Sequence, residues 1–358
     1  MQQVIDPSQL KKIADNVYAY MVREHTGKSS DMNEADCHGS DWGTDIHNWD
    51  WNPGVGIIAI SHYYDHMKRP DVLAYLESWL NRNKSKARKF EHVNVMTPFA
   101  IYPEMYERTG DPEYKDVALD YANWIVKHAP RTLTGTFQHG GNLVQEVWAD
   151  TIFMVVLFLS RLAKLTGSKA LADEAATQLL QHFQLLQDPE TGVLFHGYQC
   201  ENKDHMSAAR WTRGNAWLTV GTPLILEQIA GLTDVASELN ERYRRMIDGL
   251  LRYQADNGLW HTVMDEPTYY QETSGSAGIA CGIAKAIKQG LLPVSYKSAA
   301  DKTLQGVLTM IQDDGEVTGV SGGTPIMHTV EEYNQLSCYP TLYGQGLTLM
   351  LLSEYYAF

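Results

Sequence analysis

The spacing of helices along the chain is the feature that most constrains its fold. Apolar residues recur at helical intervals in about twelve segments, each bounded by residues that favour helix ends. Alternation of apolar and polar residues, which is typical of strands, is scarce. The pattern therefore predicts an all-α protein with helices near residues 9–25, 54–67, 71–85, 97–109, 112–128, 148–165, 168–187, 214–231, 235–254, 274–289, 296–312 and 341–357.

The connections between these helices alternate between short and long. Each short one contains Gly or Pro and ends near Asp or Ser, which stops one helix and caps the next. Short links of this kind produce antiparallel helical hairpins, so all short links gather at one end and the long loops at the other. The short links lie at 69–71, 109–112, 166–168, 231–234 and 290–295, and the long loops at 26–53, 129–147, 188–213, 255–273 and 313–340.

The first and last predicted helices have no hairpin partner of their own. Pairing 341–357 with 9–25 completes six hairpins and closes them into a ring. We therefore expect an (α/α)6 barrel of six helical hairpins, forming a single catalytic domain over residues 1–358. The alternative is an open helical solenoid, which would leave those two helices as unpaired ends.

Charge and cysteine content limit the partners of such a barrel. The chain has 29 Lys and Arg against 43 Asp and Glu, a net charge of -14, which argues against nucleic acid as the main partner. A small anionic ligand is still compatible with this net charge, because a few Lys or Arg side chains in a pocket can bind it. No signal-peptide pattern and no apolar run of about 18–20 residues is present, so neither export nor a membrane span is expected. Cys37, Cys200, Cys281 and Cys338 are widely separated, which favours reduced thiols and a cytoplasmic protein.

Tryptophans concentrate in or beside the long loops. Tryptophan offers a flat apolar face with a polar handle, which suits stacking on sugar rings. Some of these residues are expected only to anchor loops in the core. The distribution nevertheless indicates a cleft for carbohydrate, with candidates Trp42, Trp49, Trp51, Trp148, Trp211, Trp217 and Trp260.

Asp150 is the sharpest candidate for chemistry. It opens an apolar run, 151–159, that is hydrophobic nearly all round and therefore belongs to the inner layer of helices. A carboxylate there is costly unless it is hydrogen-bonded or used in function. The alternative is a helix N-cap, a role that Asp fills well. The neighbouring Trp148 and His139 favour a functional group.

A second candidate group surrounds Arg213, which lies between Trp211 and Trp217 at the start of an inner helix. An arginine can bind a carboxylate through two parallel hydrogen bonds, and this contact with ligand is the favoured interpretation. The alternative is that Arg213 pairs with a neighbouring acid and braces the loops.

The loop histidines His139 and His196 lack the spacing of metal ligands, and HExxH is absent, so no metal site is expected. Contacts with sugar hydroxyls are the expected role of both. Two stretches of small residues add little chemistry of their own. The first, 272–278, is expected to serve packing, and the second, 319–325, could line the cleft.

Two motifs together resemble glycoside hydrolase family 105, the unsaturated rhamnogalacturonyl hydrolases. They are W-x-D-T-x-F-M at 148–154 and W-x-R-G-N-x-W at 211–217, preceded by Gln138-His139 and followed by the stretch 272–277. Their order and approximate spacing match across about residues 50–350. The resemblance implies the same (α/α)6 barrel and a substrate that is a small anionic oligosaccharide.

The resemblance also implies an uncommon reaction that needs no cofactor. The substrate carries a 4,5-double bond in its terminal uronic acid, left by a polysaccharide lyase. Asp150 would protonate C4 and then, as the carboxylate, help water add at C5, so that the resulting hemiketal opens and releases the next sugar. A single carboxyl group suffices, unlike the pair in ordinary glycosidases. Burial beside apolar side chains would help keep Asp150 protonated.

The resemblance further implies a set of residues that contact the substrate. Three positions depart from the family pattern: Asn94 stands where some relatives have an acidic residue, Ala216 replaces a glycine and Thr212 precedes the arginine. These departures concern fine specificity. The implied set is Trp51, Asn94, His139, Trp148, His196, Trp211, Arg213 and Trp217.

Three other functions remain open at this point. A sugar 2-epimerase on the same barrel would depend on His196 and a second loop histidine. A conventional inverting glycosidase would use Asp150 as acid and Glu272 or Glu146 as base. A non-catalytic sugar-binding barrel would keep the tryptophans without needing an acid at position 150.

Overall fold

The computed structural model describes residues 6–23 and 45–358. Cys37, Trp42, the predicted end of the first helix at 24–25 and most of the first long loop lie outside these residues. Each of the twelve predicted helices is present within the described part. The helices are α1 (Pro7–Val22), α2 (Trp51–Met67), α3 (Pro70–Asn83), α4 (Tyr102–Thr109), α5 (Pro112–His128), α6 (Leu157–Thr166), α7 (Lys169–Leu186), α8 (Thr212–Ile229), α9 (Ser237–Arg252), α10 (Thr273–Lys288), α11 (Lys297–Leu308), the short α12 (Val330–Tyr333) and α13 (Leu342–Tyr356).

Six helices form an inner ring. The ring runs through α2, α4, α6, α8, α10 and α13, and each contacts the next, with α4 and α6 extended at their starts by the turns Thr97–Ile101 and Ile152–Val156. Contacts between α13 and α2 close the ring. The outer helices α1, α3, α5, α7, α9 and α11 pack against α13, α2, α4, α6, α8 and α10 in turn. The predicted (α/α)6 barrel is confirmed, and the open solenoid is wrong.

Burial separates the two layers. In the inner helix α13 every residue from Leu342 to Glu354 is buried, as expected of a helix surrounded by others. The outer helix α9 buries one face only, around Leu239, Tyr243 and Leu250. Continuous apolar sequence therefore selects the inner ring, and amphipathic sequence selects the outer one.

The short links lie at the end of the barrel where the inner helices finish. Gly110 and Gly167 end α4 and α6 in the left-handed conformation, with φ of 74° and 66°. Asp111 and Ser168 then cap α5 and α7 by accepting hydrogen bonds from backbone N–H groups. The signals that define these links in the sequence are thus used as expected.

The long loops are held together by two small antiparallel sheets. Strand β1 (Glu146–Trp148) pairs with β2 (Gly197–Gln199) from the next long loop, and β3 (Trp260–His261) pairs with β4 (Gln271–Glu272). Glu146 lies opposite Gln199, and Trp148 opposite Gly197. These short strands were not predicted, because three residues are too few to show alternation. Within the described ranges, no helix has the length and apolar character needed to cross a membrane.

Candidate active site

A cavity of about 460 Å³ lies among the long loops, where the inner helices begin. Seven of the nine predicted site residues line it, and the other two, His196 and Trp217, lie beside Asp150. The structure therefore brings the predicted residues together at one cavity. Its lining consists of Trp51, His92, Asn94, His139, Gly140, Asn142, Leu143, Trp148, Asp150, Trp211, Arg213, Gly323, Thr324 and Pro325.

Asp150 presents its carboxylate to neighbouring side chains and does not cap the helix. Its Oδ1 accepts a hydrogen bond from Trp217 Nε1 over 3.0 Å, whereas its buried Oδ2 has no hydrogen-bond partner in the described part of the chain. No backbone N–H of the described residues donates to this carboxylate. The helix after it begins with a π-helical turn, Ile152–Val156, a rare geometry that is frequent at functional sites. The N-cap alternative is therefore wrong.

His196 lies behind Asp150 and is fully buried, with Nε2 3.5 Å from Asp150 Oδ2. The opposite ring nitrogen, Nδ1, lies 2.7 Å from the hydroxyl of Tyr333. That hydroxyl accepts from the backbone N–H of Met327, so its own proton is available for His196 Nδ1. In this tautomer the proton of His196 sits on Nε2 and faces Asp150.

The pKa of the Asp150 carboxyl lies below its ordinary value. Burial raises this pKa, but the interaction with the neighbouring ring of His196, with smaller contributions from His139 and Arg213, outweighs burial. Burial therefore acts in the predicted direction, but in the free protein the neighbouring groups outweigh its effect on the pKa of Asp150. Burial also lowers the pKa of His139 to about 4, so that this ring is neutral at neutral pH.

Flat rings form the walls of the cavity. Trp148 stacks on His139, with ring centroids 4.6 Å apart and planes 6° from parallel, and its Nε1 donates to Glu146 Oε2 over 2.8 Å. Across the cavity, Trp51 stacks on Tyr343 with centroids 5.1 Å apart. Two rigid aromatic surfaces, from different hairpins, thus face the space that a sugar would fill.

Arg213 is completely buried, and its side chain forms hydrogen bonds with the last long loop. Its Nη1 donates to Ser321 Oγ over 2.6 Å, and its Nη2 donates to the Gly322 carbonyl over 3.0 Å and to Thr324 Oγ1 over 2.9 Å. The guanidinium also lies 4.4 Å from the ring centroids of both Trp211 and Tyr343. Both terminal nitrogens are thus bonded within the protein, whereas Nε has no hydrogen-bond partner among the described residues. Arg213 braces the last long loop, the alternative that the sequence left open, and its predicted contact with a ligand carboxylate stays a prediction.

Glu272 is the acid paired with Arg213, with Oε1 3.4 Å from Nη1. It is fully buried, and it caps α10 by accepting hydrogen bonds from the backbone N–H groups of Ser274 and Gly275. The backbone N–H of Ser321 donates to Oε1 as well. Both oxygens of Glu272 are therefore occupied, and it does not line the cavity.

The remaining loop tryptophans of the described chain pack in the core. Trp49 stacks on Trp79, with centroids 5.8 Å apart, and Trp260 is buried and donates to the Leu250 carbonyl over 2.8 Å. Three residues of the site were not predicted: His92 and Asn142 in the lining, and Tyr333 behind His196. His92 could have been found from its position two residues before Asn94. Tyr333 carried no distinguishing signal among 20 tyrosines.

Comparisons with known proteins agree with this geometry. A sequence model described as Glycosyl Hydrolase Family 88 matches residues 22–358. The chain is 29% identical over 315 residues to the unsaturated rhamnogalacturonyl hydrolase YesR of Bacillus subtilis (strain 168), a match that covers 86% of this chain and 89% of the relative.

Two solved structures are similar over the whole chain. A possible member of the GH105 family from Salmonella enterica superimposes with a TM-score of 0.91 and 30% identity, covering 100% of this chain and 96% of the other. A possible GH105 member from Klebsiella pneumoniae gives a TM-score of 0.90 and 31% identity, covering 100% and 95%. The likeness therefore extends over the whole barrel.

Proposed function

Because the chain belongs to Glycosyl Hydrolase Family 88, we propose that this glycoside hydrolase removes a 4,5-unsaturated uronic acid from lyase-generated oligosaccharides. The name of the Bacillus subtilis relative supports rhamnogalacturonan, a pectin component, as the source of these oligosaccharides. The expectation of a single catalytic domain belongs to the same proposal, since the family model matches nearly the whole chain.

The observation that carries the proposal is the solitary carboxylate of the cavity. Asp150 is the only acidic residue among the described residues that line it. A conventional glycosidase needs two carboxyl groups on either side of the glycosidic bond. Hydration of a double bond needs one group that first donates a proton and then accepts one. A cavity with one carboxylate fits the second reaction.

In the proposed reaction the proton passes from Asp150 to C4 of the sugar. Positive charge then develops at C5 and is shared with the ring oxygen. The ionised Asp150 next accepts a proton from water as the water oxygen bonds to C5. The bond between C5 and the ring oxygen then breaks, so that C5 becomes a ketone and the proton of its hydroxyl passes to the ring oxygen, which becomes a C1 hydroxyl. This C1 hemiacetal opens to an aldehyde, its hydroxyl proton passes to the glycosidic oxygen, and the adjoining sugar leaves as an alcohol. Oδ2, the oxygen without a hydrogen-bond partner, is the atom suited to both proton transfers.

Bound substrate would raise the pKa of Asp150, which is low in the free protein. A uronate carboxylate beside Asp150 would raise the pKa of that residue, because two negative charges in a dry cavity repel each other. The side-chain amides of Asn94 and Asn142 line the cavity and can donate hydrogen bonds to that carboxylate. The flat faces of Trp51 and Trp148 would then hold the sugar rings. This arrangement gives Asp150 its proton only when substrate is present.

The other functions fit the geometry less well. Glu272 is fully bonded and Glu146 is bonded to Trp148, and neither lines the cavity, so an inverting glycosidase lacks a base. For an epimerase, His196 would need a free ring nitrogen, but one nitrogen contacts Tyr333 and the other faces Asp150. A purely sugar-binding barrel would not need the buried Trp217 and His196 around a carboxylate.

The ultraviolet absorbance of the conjugated double bond tests the proposal. The protein is incubated with unsaturated rhamnogalacturonan oligosaccharides and, separately, with saturated oligosaccharides of the same length. We expect the absorbance to decay as the double bond is hydrated, and we expect no cleavage of the saturated series. Cleavage confined to the saturated series would overturn the proposal and favour the conventional glycosidase. Binding of both series without any reaction would favour the sugar-binding barrel.

A further inference from the structure

A cluster of potential metal ligands lies at the end of the barrel opposite the cavity. His62 and His66 come from the last turns of α2, four residues apart and therefore on one face of that helix. Glu354 comes from the end of α13. One ligand atom from each of these three residues lies within 4.8 Å of the other two. Nothing in the proposed hydrolysis uses them.

Two distances in this cluster are close to those of a tetrahedral zinc site. His62 Nε2 lies 3.1 Å from Glu354 Oε1, and His66 Nε2 lies 3.7 Å from the same oxygen. With metal–ligand bonds of about 2.0–2.1 Å, the ligand atoms of a tetrahedral site are about 3.3 Å apart. The ligand atoms of the two histidines lie within 4.8 Å of each other, so side-chain adjustment would bring all three atoms to a shared metal ion.

The atoms that would bind the metal are prepared for that role. His66 Nδ1 lies 2.9 Å from the carbonyl oxygen of His62, so the ring proton is held there and Nε2 offers its lone pair.

Two of the three ligand atoms contact only each other. His62 Nε2 and Glu354 Oε1 are buried 3.1 Å apart, and within the described ranges 6–23 and 45–358 no other group forms a hydrogen bond with either atom. The other oxygen of the carboxylate, Oε2, accepts from Lys288 Nζ over 2.8 Å, a contact that orients the group and leaves Oε1 for a metal. Buried polar atoms of this kind are rare in folded proteins and call for an ion or water.

We propose that His62 Nε2, His66 Nε2 and Glu354 Oε1 bind a zinc ion, with water as the fourth ligand. Two imidazole nitrogens and one carboxylate oxygen suit zinc, whereas calcium and magnesium prefer oxygen ligands alone. The side chain of His66 is 16% exposed, which gives the ion and its water a route from solvent. This site departs from the expectation that the chain holds no metal, which considered only the loop histidines and HExxH.

The proposed ion has a structural role, because its ligands come from two different inner helices, α2 and α13. Helices α2 and α13 are the first and the last of the inner ring, and their contact closes the barrel. Lys288, which orients Glu354, is the final residue of the third neighbouring helix, α10. Zinc at this point would fasten the closure of the ring at the end away from the cavity.

Zinc binding by metal-stripped protein tests the proposal. The chelator-treated full chain is dialysed against zinc at neutral pH, its zinc content is measured by elemental analysis, and its Tm is measured with and without zinc. We expect one zinc per chain and a higher Tm with zinc. In His66→Gln we expect zinc affinity to fall more than about 100-fold, since even the loss of an outer-shell partner costs about 10–100-fold.

A matched histidine serves as the control. His128 is exposed at the end of α5, and His128→Gln should bind zinc as the wild type does. Circular dichroism establishes that both variants are folded, and His62→Gln provides a second variant at the site. Wild-type protein that binds no zinc, or that binds it as tightly as His66→Gln, would overturn the proposal. The cluster would then be an ion pair of His62 and Lys288 with Glu354.

Discussion

Trp217 Nε1 donates a hydrogen bond to Asp150 Oδ1 over 3.0 Å, from the first turns of α8 to the residue that opens the neighbouring inner helix. Both side chains are buried, so the bond is shielded from water. It fixes one oxygen of the carboxylate and leaves the other, Oδ2, for chemistry. The second tryptophan of the W-x-R-G-N-x-W motif is thereby tied to the aspartate of the W-x-D-T-x-F-M motif.

Replacing Trp217 by phenylalanine removes this bond and keeps most of the ring. A hydrogen bond to a charged group contributes about 1.5–3 kcal/mol, so we expect kcat to fall about 10–100-fold with little change in KM. Steady-state kinetics from the decay of absorbance measure both constants. Trp124→Phe on the outer helix α5 is the matched control and should retain the wild-type kcat. Equal losses in the two variants would mean that only general packing is affected.

Replacing Asp150 by asparagine should abolish the reaction and preserve binding. Proton transfer by a positioned side chain contributes about 10²–10⁴-fold, so we expect a loss of activity of roughly that size or more. The asparagine can still accept the bond from Trp217, and calorimetric titration with substrate measures the retained affinity. As a matched acid, Glu146→Gln should keep most of the activity. A fully active Asp150→Asn protein would exclude the proposed mechanism.

The pH dependence follows from the lowered pKa of Asp150. The reaction needs this residue protonated, so kcat/KM should decrease as pH rises through and above the pKa of the free protein. Bound uronate raises that pKa, so the decrease in kcat should lie at higher pH than the decrease in kcat/KM. Rate profiles for both constants test this order.

Substitution of His196 provides a second test of how the pKa of Asp150 controls the rate. His196 is the main group that lowers the pKa of Asp150, against the raising effect of burial. His196→Gln should therefore raise this pKa and move the decrease in kcat/KM to higher pH, even though kcat itself falls. An unchanged profile, or a shift to lower pH, would show that another group controls the rate.

Arg213 should matter for stability more than for binding. Its removal leaves Glu272 buried without a cation, and breaking a buried pair in this way costs about 3–5 kcal/mol. We expect Arg213→Met to lower the free energy of unfolding by about that amount in urea denaturation. Arg23→Met is the control, because Arg23 and its partner Asp314 are both exposed and the loss of this ion pair should cost about 1 kcal/mol or less.

The stabilising contribution of Glu354 should depend on pH when zinc is excluded by a chelator. Burial raises the pKa of this carboxyl, but His62 and Lys288 outweigh burial and hold the pKa below its ordinary value of 4.5. A lowered folded-state pKa stabilises above the unfolded value, and this contribution is lost as pH falls through the folded value. Glu354→Gln should therefore be less stable than the wild type near neutral pH, with the difference in unfolding free energy narrowing below pH 4.5. A difference that is constant with pH would contradict this.

The barrel could be predicted from sequence because its determinants are local. Helix stops and caps such as Gly110 and Asp111 lie next to each other in the chain, and they set which links are short. Continuous apolar stretches then mark the inner helices. The position of Asp150 at the start of one such helix followed from the same pattern. The cytoplasmic location, which depends on cysteine spacing alone, stays a prediction.

The roles of individual side chains depended on partners that are distant in sequence. Arg213 meets Glu272 and the loop at 321–324, and nothing near the arginine indicates that these groups would occupy its nitrogens. The contact between His196 and Tyr333 also joins residues that are distant in the chain, and no sequence pattern indicates it. The pKa of Asp150 depends on a balance between burial and His196 that chain order cannot supply. Family resemblance located these residues, but their contacts required coordinates.

The stack of Trp51 on Tyr343 joins the start of the first inner helix to the start of the last. The ring of Trp51, which lines the cavity, is therefore held by this stack only after the final helix has docked against the first. A chain that is still being synthesised, or one cut by a protease before Tyr343, would contain Asp150 without this support for the lining of its cavity.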